Sequence, residues 1–96
     1  MIELNYMKTK EIIEIADYLT SKFTLYKNQI VDFWDADNCA FGFSTEDKSI
    51  LIYISTFNRK INHYYLEIDY QNADNEIFEN ISCNDLMKIL QPIFEK

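Results

Sequence analysis

The chain has 96 residues, of which 48% are hydrophobic, and its sixteen acidic and nine basic residues give a net charge of −7. This length and composition suit one folded domain that buries about 60 to 65% of its unfolded surface. The negative charge disfavours nucleic acid as a direct partner, because binding would begin with repulsion, and it favours a basic protein.

The remaining composition limits the class of protein further. We expect one α+β domain over residues 1–96. Met7 is a candidate second start, so residues 1–8 are interpreted as a disordered extension. The amino terminus has no basic region followed by an apolar run, and no segment is long enough to span a bilayer. We therefore expect a cytoplasmic protein with no membrane partner.

Few residues of the chain suit a cofactor or a metal ion. Cys39 and Cys83, with a single His, cannot complete a zinc site from soft ligands and are too few for a disulfide framework. The single Gly leaves no glycine-rich loop for phosphate. We expect two free thiols, no cofactor and no metal site.

Two amphipathic helices are predicted, one near each end of the chain. Between residues 9 and about 25 the apolar residues recur at steps of three and four, with Thr9 as the N-cap. Ser82 and Asp85 form the acidic version of a capping box for the second helix. Its apolar stripe continues past Pro92, which favours a kink there rather than a stop.

Four antiparallel strands in a meander are predicted between the helices. Residues 30–36 and 39–45 form the first two, and residues 50–70 alternate in two runs that form a hairpin. Residues 71–76 are interpreted as a loop. Ile77 and Phe78 fit a short edge strand or a helical turn equally well.

A single buried sheet face restricts the register, because a slip of one residue would reverse every side chain. In the hairpin this requires a loop with an odd number of residues, and a loop of residues 58–60 meets that requirement. The resulting pairs are Ile50 with Ile68, Ile52 with Leu66, Ile54 with Tyr64, Phe41 with Ile52, Phe43 with Ile50 and Phe33 with Phe41.

The registers define an inner face, on which both helices pack, and an open outer face. The inner face comprises Val31, Phe33, Phe41, Phe43, Ile50, Ile52, Ile54, Tyr64, Leu66 and Ile68. The outer face has one row formed by Trp34, Ala40, Tyr53 and Tyr65, and a second formed by Asp32, Gly42, Leu51 and Glu67.

An aromatic centre, a dent over Ala40 and Gly42, and carboxylates at the rim resemble the anatomy of a protein interface. The alternative is that these aromatic residues only stabilise an exposed sheet through cross-strand contacts. We predict a partner-binding surface formed by Asp32, Trp34, Tyr53, Tyr65, Glu67 and Asp69.

Catalytic chemistry is not indicated. His63 is expected near Ser55 on the outer face, but no orienting carboxylate or oxyanion site accompanies them. Glu67 and Asp69 are two residues apart on one strand face, about 7 Å by strand rise, with no third acidic ligand near them in sequence. We expect that the protein is not an enzyme.

In size, acidity and order of elements the chain resembles the small immunity proteins that bacteria encode beside contact-delivered or secreted toxins. The resemblance covers the whole length and transfers no individual residue. It implies a cytoplasmic inhibitor that covers the active site of a cognate basic toxin domain, often a nuclease. The alternatives are a secretion chaperone, a nucleic-acid mimic inhibitor, and a small enzyme or ligand-binding domain that uses His63, Tyr65 and Glu67.

Overall fold

A computed structural model describes residues 9–31 and 38–95 of the chain. Within these residues, five strands form one antiparallel sheet in chain order, and two helices flank them in sequence. The α+β class and the meander are confirmed, whereas the predicted number of four strands is wrong. The elements are α1 (Lys10–Phe23), β1 (Ile30–Val31), β2 (Ala40–Ser44), β3 (Ile50–Ser55), β4 (His63–Tyr70), β5 (Glu76–Ser82) and α2 (Cys83–Phe94), with a short 3-10 turn, Lys27–Gln29, before β1.

The additional strand, β5, contains a bulge, and this bulge is why the alternation typical of a strand is absent from its sequence. Leu66 pairs with Phe78, and Tyr64 pairs with Ile81. Tyr65, the one residue between Tyr64 and Leu66, therefore faces two residues of β5, which are residues 79 and 80. A bulge of this kind inserts one residue and interrupts the period of two. The inward Phe78 and Ile81 are consequently three residues apart, a spacing that also fits a helix.

Both helices begin at the residues that the sequence indicates. The Thr9 Oγ1 accepts a hydrogen bond from the backbone N–H of Ile12 at 3.4 Å, and the Ser82 Oγ accepts one from that of Asp85 at 3.2 Å. Each bond satisfies a backbone donor that has no partner within the helix. Helix α2 continues through Pro92 to Phe94, so the proline does not end it.

One core lies between the helices and the inner face of the sheet. Ile12 and Leu19 of α1 and Leu86 and Leu90 of α2 are fully buried in the same cluster as the inward residues of β2, β3 and β4. The sheet contributes Phe41, Phe43, Ile52, Ile54, Tyr64, Leu66 and Ile68 to this cluster. The prediction that both helices pack on one face is confirmed.

The β2–β3–β4 registers preserve the predicted faces but are shifted by two residues. Ile52 lies opposite Ile68, not Leu66, and Phe43 lies opposite Ile52. The β3–β4 loop spans residues 56–62, an odd number as the parity argument requires, but it is longer than the three residues predicted. Asn58 and Asn62 adopt φ values of 55° and 64°, which Asn tolerates better than most residues, and this allows the longer loop.

The first strand turns the opposite set of side chains towards the core from the set predicted. Ile30 lies opposite Phe43 and packs against the core, whereas Val31 lies opposite Gly42 and therefore belongs to the outer face. The assignment of Val31 to the inner face is wrong. Phe33 and the rest of the predicted strand 30–36 beyond Val31 lie outside the described residues.

The outer face carries no helix among the described residues, but part of it is buried. Ala40, Gly42 and Ser44 of β2 and Ser55 of β3 are all buried, although their register places them on this face. The accessible part of the face therefore begins at β3 and extends across β4 to β5.

Candidate functional site

Four side chains of the accessible outer face form what we call the tyrosine–acid cluster, namely Tyr53, Tyr65, Glu67 and Asp69. Three of them alternate along β4 and so point to the same side of the sheet. Tyr53 of β3 lies opposite Glu67, and its neighbour Leu51 lies opposite Asp69. All four residues are partly exposed.

The two tyrosines are in contact, but along a diagonal rather than in one row. Tyr65 lies opposite Ser55, two residues along β3 from Tyr53. The ring centroids are 5.9 Å apart with an interplanar angle of 79°, an edge-to-face arrangement. Diagonal neighbours on a sheet are within reach of long side chains. The predicted alignment of Tyr53 and Tyr65 in a single row is wrong, as is the row that placed Leu51 beside Glu67.

Tyr65 is fixed by a hydrogen bond and by a cation. Its hydroxyl donates to the Glu67 Oε1 at 3.0 Å, and the Arg59 guanidinium carbon lies 5.9 Å from the centre of its ring. Arg59 in turn donates from Nε to the backbone carbonyl of Glu79, one of the two residues in the β5 bulge, at 2.6 Å. The arginine thus links the β3–β4 loop, Tyr65 and the bulge.

These contacts also act on the ionisation of Tyr65. Burial raises the pKa of the phenol above its ordinary value of 10.0, and the hydrogen bond to Glu67 and the negative charges of Glu67 and Glu79 raise it further, against the opposing effect of Arg59. The phenol is therefore protonated at neutral pH and remains the hydrogen-bond donor to Glu67.

Asp69 is held in an unfavourable environment for a carboxylate. Its Oδ1 is buried and has no hydrogen-bond partner among the described residues. Burial raises the pKa of Asp69 above its ordinary value of 3.8, and the neighbouring Glu67 raises it further through a hydrogen bond and through its charge. A positively charged group placed beside these two carboxyl groups would offset the repulsion between them.

Of the six predicted partner-binding residues, the structure brings four together. Tyr53, Tyr65, Glu67 and Asp69 form the cluster, whereas Asp32 and Trp34 lie outside the described residues. The predicted dent over Ala40 and Gly42 does not form an accessible surface, because both residues are buried and Ala40 is 0% exposed.

His63 and Ser55 do not form the arrangement that their sequence positions suggested. In the register Ser55 lies opposite Tyr65 and His63 lies opposite Ser82. The His63 Nδ1 is 3.1 Å from the carbonyl oxygen of Ile61, and the Ser55 Oγ accepts the backbone N–H of Phe57 at 3.1 Å. Both side chains shape the β3–β4 loop.

Arg59 and Glu79 are members of this site that the sequence analysis did not identify. Arg59 falls within the predicted loop of residues 58–60, and Glu79 follows Ile77 and Phe78, where the sequence fits a strand or a helical turn equally well. The two asparagines at positive φ, four residues apart, are the signal that indicates a longer loop. Nothing in the spacing of Glu79 predicts its contact, since the contact uses its backbone carbonyl.

The chemistry of the cluster comes from its aromatic rings and its carboxyl groups. Within residues 9–31 and 38–95 no group of three or more His, Cys, Asp or Glu side chains is placed to hold a metal ion. Neither α1 nor α2, the two long helices of the described chain, has the length and apolar character needed to cross a membrane. The cluster offers two aromatic rings, two adjacent carboxyl groups and one buried oxygen without a partner.

Comparisons of the chain with protein-family models, with curated proteins and with solved structures find no match.

Proposed function

We propose that this chain is a cytoplasmic protein-binding inhibitor whose tyrosine–acid cluster binds a cationic side chain of a basic protein, and that it acts as the immunity protein of a bacterial toxin. The observation that supports this function best is the pair of adjacent carboxyl groups of Glu67 and Asp69 beside the two tyrosine rings, with an Asp69 Oδ1 that is buried and has no hydrogen-bond partner among the described residues. A lysine or arginine from the partner would lie against the rings and pair with the two carboxyl groups.

The electrostatics of the whole chain support the same kind of partner. A net charge of −7 attracts a basic domain at long range, and adjacent carboxyl groups on one face orient the encounter. A toxin that cleaves nucleic acid needs a basic surface to bind its substrate. An acidic inhibitor that covers this surface blocks the substrate by charge and by volume.

Differential capture tests the proposal. The tagged chain is expressed in the cells that encode it, and bound proteins are identified for the native sequence and for the variant Tyr53→Ala/Tyr65→Ala. The matched control is Tyr18→Ala/Tyr26→Ala, because Tyr18 and Tyr26 are 49% and 57% exposed and belong to α1 and the segment that follows it. Circular dichroism verifies that each variant is folded.

We expect one basic protein that the native chain and the control retain and that the cluster variant loses. Expression of that protein alone should arrest growth, and co-expression of the native chain should restore it. A captured protein that is harmless alone contradicts the immunity function. Equal capture by both double variants contradicts the use of the cluster.

A further inference from the structure

A second surface lies at the end of the β3–β4 hairpin. Phe57 and Ile61 are 70% and 80% exposed, and they lie in the loop of residues 56–62. They are the two most exposed large hydrophobic residues of the part of the chain that the structure describes. Lys60, also exposed, lies between them, so the loop is both apolar and basic. We call residues 57–61 the hairpin tip.

The hairpin tip is held in one conformation by its own hydrogen bonds. The backbone N–H of Arg59 donates to the carbonyl of Thr56 at 3.3 Å, and that of His63 donates to the carbonyl of Lys60 at 3.0 Å. The Arg59 side chain binds the carbonyls of Phe57 and Asn58 at 3.3 Å each and also reaches Glu79 on β5. Exposed apolar side chains on an ordered loop need little rearrangement to enter a pocket.

A pocket of about 420 Å³ lies at the opposite end of the sheet, and we call it the end pocket. Apolar side chains from β3 and from the ends of both helices line it, and carboxylates lie on the β2–β3 loop beside them. Its lining includes Phe23, Glu46, Asp47, Ile50, Ile93 and Phe94. Ile50, Ile93 and Phe94 are only half-buried, so the pocket offers accessible apolar surface.

The acidic side of the end pocket is formed by Glu46 and Asp47 of the β2–β3 loop. Asp47 accepts hydrogen bonds from Thr45 and from Ser49, which hold its carboxylate in place on the loop. The Lys48 ammonium is bonded to the carbonyl of Asn28, and Lys48 is not part of the pocket lining. Glu46 is exposed beside Asp47.

The hairpin tip and the end pocket match in polarity and in charge. We propose that the hairpin tip of one copy of this chain docks into the end pocket of a second copy, with Phe57 and Ile61 against the apolar lining and Lys60 beside Glu46. A copy cannot fill its own pocket, because the two surfaces lie at opposite ends of β3, a strand of six residues that is about 20 Å long.

A contact between two different surfaces leaves one tip and one pocket unoccupied at the ends of each assembly. Such head-to-tail contacts extend into chains unless the rotation closes a ring. A tip of five residues in one pocket makes a small interface, so we expect weak association that depends strongly on protein concentration. None of the four residues of the tyrosine–acid cluster belongs to the hairpin tip or lines the end pocket, so this inference does not rest on the proposed function.

Sedimentation velocity of the pure protein over a wide concentration range tests the contact without any other partner. For the native chain we expect a mean mass that rises with concentration. The variant Phe57→Ser/Ile61→Ser should sediment as a monomer throughout. The matched control is Ile77→Ser, which removes a side chain that is 55% exposed on β5, and it should associate like the native chain.

Charge variants identify which surfaces meet. Glu46→Lys should weaken association roughly two- to fivefold, as expected for loss of an exposed ion pair, and Lys60→Glu in the same chain should restore it. A mixture of Phe57→Ser/Ile61→Ser with the native chain should give shorter assemblies, because the variant accepts a tip and donates none. A monomeric native chain at every concentration overturns the proposal. The proposal is also overturned if Phe57→Ser/Ile61→Ser associates as strongly as the native chain, or if Lys60→Glu does not restore the association of the Glu46→Lys variant.

Discussion

The guanidinium of Arg59 lies over the ring of Tyr65, 5.9 Å from its centre, while its Nε donates a hydrogen bond to the carbonyl of Glu79. One side chain therefore supports the β5 bulge, the β3–β4 loop and the aromatic part of the tyrosine–acid cluster. Removal of this side chain should affect the stability of the fold and the order of the cluster together.

We expect Arg59→Ala to lower the free energy of unfolding by about 2 kcal/mol, the low end of the sum for one charged hydrogen bond and one cation–π contact, because the hydrogen bond is exposed. Urea unfolding measures the change. Arg59→Lys should recover only part of the loss, because an ammonium does not present the planar fork that reaches several carbonyls. The control Lys60→Ala removes an adjacent exposed cation and should change stability by less than about 0.5 kcal/mol. Equal effects of the two alanine variants would contradict the role of Arg59.

Asp69→Asn should stabilise the protein at neutral pH and reduce the pH dependence of its stability. The folded-state pKa of Asp69 is raised above 3.8 by burial and by Glu67. The contribution of this group to stability is therefore greatest below its ordinary pKa and decreases as the pH rises through the raised value. Unfolding measured at intervals from acid to neutral pH checks the sign.

The control for this prediction is Asp74→Asn, which removes the same charge from the exposed loop before β5. It should leave the pH profile close to that of the native chain. A native stability that increases through the range in which Asp69 loses its proton, with no change in Asp69→Asn, would contradict the assignment.

Phe43 of β2 packs against Phe94 of α2 in the core, and its truncation should be among the most damaging substitutions. The side chain is 0% exposed, and its ring centroid is 5.2 Å from that of Phe94 and 5.4 Å from that of Phe41. We expect Phe43→Ala to cost about 3 to 5 kcal/mol, a large share of the roughly 5 to 15 kcal/mol typical of a domain.

Thermal unfolding followed by circular dichroism measures the loss. Tyr26→Ala, which truncates an aromatic side chain that is 57% exposed, should shift the midpoint only slightly. Comparable shifts for the two variants would mean that Phe43 is not central to the core.

Ser82 ends β5 and caps α2, so its hydroxyl connects the edge of the sheet to the last helix. We expect Ser82→Ala to lower stability by about 1 kcal/mol, because the N–H of Asp85 loses its acceptor. Ser82→Asp should retain most of the stability, since a carboxylate also accepts at an N-cap. Ser21→Ala, at an exposed position within α1, is the matched control. Chemical denaturation ranks the three variants, and a loss in Ser82→Asp as large as in Ser82→Ala would exclude a capping role.

Association with the partner should depend on the charge of the cluster. Once differential capture has identified the partner, stopped-flow mixing should show that Glu67→Lys slows association about three- to tenfold while dissociation changes less. Rising salt should lower the association rate of the native chain towards that of the Glu67→Lys variant. Glu14→Lys makes the same charge change on the exposed side of α1, away from the outer face, and should have a smaller effect. A native association rate that ignores ionic strength would contradict electrostatic steering towards this face.

The amino-acid sequence by itself determined the local features of this protein. Spacing of apolar residues and the hydroxyls of Thr9 and Ser82 located both helices, because capping and amphipathicity act over three or four residues. Alternation located β2, β3 and β4 and assigned Phe43, Ile52 and Leu66 to the inner face, because one buried face fixes the parity of pairing.

Only the tertiary structure decided the absolute register, and with it the geometry of the cluster. The parity of the strands permits any register that differs by two residues. The loop of residues 56–62, with Asn58 and Asn62 at positive φ, fixes the register that is observed. The bulge opposite Tyr65 hid β5, since the inserted residue breaks the periodicity. The contact of Arg59 with the carbonyl of Glu79 joins residues twenty positions apart, and a backbone acceptor leaves no trace in the sequence.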